Sequence, residues 1–247
     1  MYLTKKLNTL MLTGVIASSA LVVTPMAAQA GVSSSASLSS MYLWRGLDIS
    51  DHKPALSGDI TYSSDIGIYA SLWMSSEGSF DNSFETDWTV GYSGSVGDFG
   101  YDVGYYKIWY PENQQTCSSS VTVTSTPSTV PVTETCVTGK NPTFSDAPAE
   151  AYIGLSYKDL GFKAFLDAKD KNTYSYYTLS YSYGVFSGTL GFWDDKDNAS
   201  DYKHLDLSYA ATDRLSFTIS KIISEGGGGT LPNPLFMLSY SLPIDAK

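Results

Sequence analysis

Apolar and polar residues alternate with a period of two through most of this chain. The alternating stretches run for about nine to eleven residues, the length of a tilted β-strand that crosses a bilayer. Residues 84–93 carry the pattern most cleanly: Phe84, Thr86, Trp88, Val90 and Tyr92 share one face, while Glu85, Asp87, Thr89, Gly91 and Ser93 share the other. Such a strand needs an apolar medium on one side and a polar one on the other. Beyond the amino-terminal segment no run reaches the roughly 18 apolar residues of a spanning helix, and twelve alternating stretches follow one another instead. The pattern predicts an all-β fold, a transmembrane antiparallel up-and-down β-barrel of about 12 strands.

The spacing of turn signals carries the same prediction. Short connections fall at residues 63–65, 93–98, 158–160, 183–184 and 211–213, and longer ones at 46–53, 76–83, 111–148, 194–201 and 224–234. Only residues 170–172 break the alternation of short and long. Bacterial barrels join their strands by short periplasmic turns and long extracellular loops, so both ends of the barrel chain are expected on the periplasmic side. The first strand reads as Ala36, Leu38, Tyr42 and Trp44 outward, with Arg45 on its polar face.

Lys5 and Lys6 precede an apolar run over residues 7–23, and Ala28-Gln29-Ala30 supplies small residues for cleavage. Residues 1–30 are therefore expected to be a signal peptide and residues 31–247 one outer-membrane domain. The chain carries 25 acidic against 15 basic residues, for a net charge of −10 that becomes −12 without Lys5 and Lys6. That balance makes nucleic acid a poor partner. Abundant aromatic side chains, 19 Tyr and 5 Trp, suit the interfacial belts of a membrane protein.

With the apolar faces toward lipid, the opposite faces place Arg45, Asp59, Glu85, Asp87, Asp102, Glu150, Lys163, Asp167, Lys169, His204 and Asp206 in the lumen. Acidic groups outnumber basic ones, so an open pore would favour cations or neutral solutes. The same charges could instead form ion pairs that brace or plug the barrel, because twelve strands lie between a side-chain-filled lumen and an aqueous channel. Lys107, Lys203 and Lys221 interrupt the lipid-facing pattern near its extracellular rim, where long basic side chains snorkel; they are candidates for phosphates of outer-leaflet lipopolysaccharide. The only cysteines, Cys117 and Cys136, lie in the long Thr/Ser-rich loop, and an oxidising periplasm favours a disulfide between them. Neither His52 nor His204 sits in a hydrolase motif, so no enzyme activity, bound metal or cofactor is expected.

Tyr42-Leu43-Trp44-Arg45-Gly46-Leu47 and the following residues through Gly58 resemble the amino-terminal signature of the TorF family of porin-like proteobacterial outer-membrane proteins. Residues 97–106 and 150–157 are similar to its later blocks, and the loop after Pro111 stands as an insertion. The resemblance implies a Gram-negative outer-membrane porin barrel, inserted by the barrel-assembly machinery, with its solute unassigned. Sequence and resemblance together lead us to expect passive diffusion of small polar solutes, weakly cation-selective. The alternative is a non-conducting surface protein that acts through its stapled loop.

Overall fold

The structure, a computed structural model, describes residues 30–76, 84–111, 143–169, 173–196, 200–227, 230–242 and 244, and the backbone of Gln115–Val121 and Val132–Thr138. The expected signal peptide and the connection at 170–172 lie outside the described residues. In chain order the strands are β1 (Gly31–Ser39), β2 (Leu43–Trp44), β3 (Leu47–Asp48), β4 (Ala55–Ser63), β5 (Ile68–Ser75), β6 (Glu85–Val96), β7 (Phe99–Trp109) and β8 (Gln115–Val121). They continue as β9 (Val132–Thr138), β10 (Ala149–Tyr157), β11 (Leu160–Asp167), β12 (Tyr174–Tyr183), β13 (Phe186–Asp195), β14 (Tyr202–Ala210), β15 (Leu215–Glu225) and β16 (Leu235–Ser241).

Twelve of these strands close into one antiparallel barrel. Each barrel strand pairs with its neighbour in sequence, and β16 returns to β1 through Ser37↔Ser241, Leu38↔Tyr240 and Ser39↔Ser239. The pairs β2–β3 and β8–β9 form separate two-stranded sheets. Closure joins the two ends of the sheet, the condition for a sheet to exist in hydrocarbon, where nothing else can satisfy backbone N–H and C=O groups.

Burial is inverted relative to a water-soluble barrel. Val32, Ile60, Val90, Tyr183, Leu207 and Phe236 on the outer face are more than half exposed, whereas Ser37, Ser57, Thr178, Thr189, Thr218 and Ser239 on the inner face are buried. Because side chains alternate strictly, the register that turns serines and threonines inward must turn the Leu, Ile, Val and aromatic residues out. An apolar belt of this extent needs covering. Strands of 7–12 residues, rising about 3.3 Å per residue and tilted about 40°, span roughly 18–30 Å, which brackets the apolar band of an outer-membrane barrel. The architecture is consistent with an outer-membrane protein.

The short connections, after β4, β6, β10, β12 and β14, gather at one end, here called the turn end. The longer ones gather at the opposite, loop end. One expectation about this layout is corrected. The first barrel strand stops at Ser39, so Tyr42, Trp44 and Arg45 do not belong to it. Tyr42 and Trp44 keep the spacing of Ala36 and Leu38, but the backbone there turns into the barrel instead of extending the strand.

Candidate functional site

Residues 43–48 form a β-hairpin whose strands, β2 and β3, pair Leu43↔Asp48 and Trp44↔Leu47. Its two-residue tip is Arg45-Gly46, with φ of 51° and 84°. Positive φ at both central residues defines the tight turn whose twist matches a two-stranded ribbon, and Gly is favoured there because it has no Cβ to clash. At Gly46 the requirement is doubled, since a Cβ would lie 2.6 Å from Cγ of His204 on β14. Around the hairpin the segment is stapled to itself and to the wall. Asp48 accepts hydrogen bonds from the Ser50 amide at 3.0 Å and the His52 amide at 2.7 Å, and the Tyr42 amide donates to Ser50 Oγ at 2.8 Å. Met41 and Leu43 are buried against Met237 of β16. The Tyr42 hydroxyl donates to Glu85 at 3.0 Å, and Tyr110 donates to the same carboxylate at 2.7 Å.

The hairpin drives Arg45 into the lumen. Its Nη1 donates to Glu150 Oε1 at 2.9 Å and its Nη2 to Oε2 at 2.5 Å, a two-pronged pairing in which the planar guanidinium matches the carboxylate edge. Glu150 also accepts from the hydroxyls of Tyr106 at 2.5 Å and Tyr174 at 2.8 Å. Rings enclose the cation: its Cζ lies 4.4 Å from the ring centroids of Trp44 and of Tyr176, 5.0 Å from Phe165 and 5.5 Å from Trp193. Arg45 is 2% exposed and Glu150 1%. Both charges have left water, which costs several kcal/mol per ion, so the pair persists only because hydrogen bonds and ring faces replace the lost hydration.

Beside this cage runs a chain of three buried polar side chains. Tyr176 OH and His204 Nε2 lie 2.8 Å apart, and His204 Nδ1 lies 3.0 Å from Asp206 Oδ1. The Tyr176 and His204 rings are nearly parallel, with centroids 6.0 Å apart. Gly191 of β13 makes room for both, because a Cβ there would meet His204 Nε2 at 2.0 Å and the Tyr176 hydroxyl at 2.7 Å. Gly91 and Gly104 do the same for Tyr69 and Tyr152 on the opposite wall. There, nearer the turn end, Lys163 pairs with Asp102 at 3.2 Å, the Tyr69 hydroxyl donates to Asp102 at 2.7 Å, and Tyr69 and Tyr152 share a hydroxyl contact.

Exposure changes along the lumen. At the loop end the inward side chains Ser39, Ser57, Ser75, Glu85, Glu150, Asp167, His204 and Ser220 are all buried. Toward the turn end exposure is mixed: Ser35, Asp59, Thr61, Ser71, Thr89, Ser93, Ser182 and Ser208 are partly exposed, whereas Asp102, Ser156 and Lys163 are buried. Hydroxyl-bearing side chains thus line a partly open lower lumen, and the hairpin fills much of the loop end. Asp59 reaches into the lumen held by the hydroxyls of Ser35 and Thr61, and Asp87 is likewise half-exposed on the inner face.

Residues 24–220 match the bacterial family Gcw_chp, described as bacterial proteins of unknown function. The chain belongs to that family. No curated protein matches it. The matched residues span the hairpin and the strands that carry the cage.

Among the residues singled out from sequence, Glu85, Asp87, Asp102, Glu150, Lys163, Asp167, His204 and Asp206 stand on inner faces of the Gcw_chp barrel, and Asp59 lines the lumen. Arg45 reaches the lumen from a hairpin tip, not from a strand. Lys169 lies two residues beyond the end of β11, exposed in the loop-end connection, with its amide donating to Asp167. Two of the three rim lysines are committed to loop backbone, Lys107 to the carbonyls of Phe144 and Ser145 and Lys221 to that of Pro232. Lys203 instead projects over the Phe192 ring at 5.9 Å, at the edge of an outer groove of about 660 Å³ lined also by Phe162, Tyr177 and Leu179. Cys117 and Cys136 stand directly opposite in the β8–β9 ladder, and their side chains lie outside the described residues.

Sequence reasoning missed the cage rings Phe165, Tyr174, Tyr176 and Trp193. The available signal was aromatic residues on both faces of residues 174–177, which a strand with one lipid face does not require.

Proposed function

We propose that this protein is an outer-membrane barrel of the porin type, which passes small polar solutes and which its own hairpin closes at the loop end. The observation that carries the reading is a closed barrel with an apolar outer face and a polar inner one, whose loop end is filled by the hairpin while hydroxyl-bearing side chains farther down are partly exposed. The leader-like pattern of residues 1–30 and the resemblance of residues 42–58 to the TorF signature support it. In this reading the turn end faces the periplasm, so the plug stands on the external side. Asp59 in the middle of the lumen and Asp87 near its loop end make the conducting state cation-leaning, because carboxylates in a confined lumen concentrate cations and repel anions. Reversal potentials in asymmetric potassium chloride test this: a cation-directed shift is expected, and anion preference overturns it. The same plug also fits a barrel that never conducts, for which electrical silence under every condition would be the signature.

Lipopolysaccharide and the barrel-assembly machinery are the partners of this reading. Lys203, at the rim of an apolar groove, is placed to meet a phosphate whose acyl chain fills the groove. K203Q is expected to reduce co-purified lipid A phosphate, whereas K107Q and K221Q leave it unchanged, because those lysines hold loop carbonyls. A disulfide joins Cys117 and Cys136. Residues directly opposite in an antiparallel ladder have Cα atoms about 4.5–5.5 Å apart, within disulfide range, and closing this loop stabilises by roughly 3 kcal/mol. Thiol alkylation of the unreduced protein is expected to leave both cysteines unmodified.

A further inference from the structure

We infer that the cage around Arg45 is the barrel's solute-recognition site, that its solutes are guanidinium-bearing cations, and that Arg45 occupies it in the closed state as a built-in competitor. The inference of passage rests on the porin reading; that of binding stands on the cage alone. Most of the cage does not travel with the hairpin. Glu150 is on β10, Phe165 on β11, Tyr174 and Tyr176 on β12 and Trp193 on β13, all within the hydrogen-bonded barrel. Only Trp44 is carried by the hairpin. Withdrawal of residues 43–48 therefore removes one ring and the resident cation and leaves a formed site.

The chemistry of that site selects a flat, forked cation. Both Glu150 oxygens accept from one guanidinium, at 2.9 and 2.5 Å, and the Tyr176 face lies 4.4 Å from its centre. A guanidinium offers parallel N–H donors and a planar surface that stacks, while an ammonium is a point charge that does neither and a tetraalkylammonium has no donor at all. With the site empty, Glu150 would be a buried carboxylate without a counter-charge, an expensive state. The hairpin consequently stays in unless another cation of the same shape takes its place, and the solute lowers the cost of the open state by the amount it binds.

Guanidinium chloride at up to about 50 mM, well below denaturing levels, is the probe. The refolded full-length mature barrel is titrated by tryptophan fluorescence as wild type, as R45A and as R45A/E150Q, with tetramethylammonium as control. R45A is expected to show saturable binding with half-saturation at about 1–10 mM, roughly tenfold weaker or undetectable for tetramethylammonium, and R45A/E150Q none. In bilayers, wild-type openings are expected to become several-fold more frequent in guanidinium than in sodium at equal ionic strength. Absence of saturable binding to heat-modifiable, folded R45A overturns the recognition site. If R45A does not fold, wild-type opening that is indifferent to guanidinium overturns it instead. A conducting R45A that treats guanidinium and sodium alike refutes the inference while the porin reading stands. Saturable binding to an R45A barrel that remains silent supports the cage and refutes passage.

Discussion

E150Q is expected to destabilise the folded barrel by about 3–5 kcal/mol, the cost of leaving one member of a buried ion pair without its partner. Arg45 cannot lose its proton to escape the low-dielectric lumen, and at 2% exposure it has no water to turn to. Gln keeps the shape of Glu150 but loses its charge, and its amide nitrogen is a donor where Arg45, Tyr106 and Tyr174 all donate. Each Glu150 oxygen accepts two of these hydrogen bonds, so two lose their acceptor at once. Urea unfolding in detergent micelles, followed by tryptophan fluorescence, reads the loss. R45A/E150Q is expected to be less destabilised than the two single changes summed, because each single change strands a charge that the double change removes. A loss below about 1 kcal/mol for E150Q would mean that the pair is wet and that the loop end is not sealed.

G191V is expected to cost about 1–3 kcal/mol from overpacking alone. The new Cβ would sit 2.0 Å from Nε2 of His204, which is fully buried and parallel to Tyr176. The ring must move, and with it go the Tyr176 contact at 2.8 Å and the Asp206 contact at 3.0 Å. Since Tyr176 is one face of the cage around Arg45, the same substitution is expected to loosen the hairpin and raise open-channel frequency. Gly188, three residues earlier on β13, gives the contrast. A Cβ there meets Leu207 Cδ2 at 3.4 Å and the Asp206 carbonyl oxygen at 3.8 Å, both ordinary contact distances, so G188A is expected to lie within about 0.5 kcal/mol of wild type. Equal effects of the two changes would remove the argument that inner-wall glycines exist to seat rings.

The barrel was legible because a period of two cannot be read two ways once a run is nine residues long. It assigns every side chain to a face, and the lengths of connections assign the ends. The same rule hid the plug. Tyr42 and Trp44 keep the apolar rhythm of Ala36 and Leu38, yet Arg45-Gly46 reverses the chain directly after them, and periodicity does not register a reversal. Met41 and Leu43 are apolar for an inner reason, contact with Met237, that looks identical in sequence to facing lipid. Lys169 illustrates the other weakness, strand ends: two residues past β11 the inner-outer alternation no longer applies. The cage escaped because its members come from β2 and β10 through β13, and only closure of the barrel brings them around one guanidinium.

The central claim, that residues 43–48 close a membrane-spanning pore, is tested most directly by single-channel recording of the mature protein beside a variant in which residues 41–50 are replaced by a Gly-Ser linker. The wild type is expected to stay closed for long intervals with rare openings. The variant, once shown to be heat-modifiable and therefore folded, is expected to give steady steps with cation-leaning reversal in asymmetric salt. A folded variant as silent as the wild type, or a wild type as open as the variant, would contradict the account.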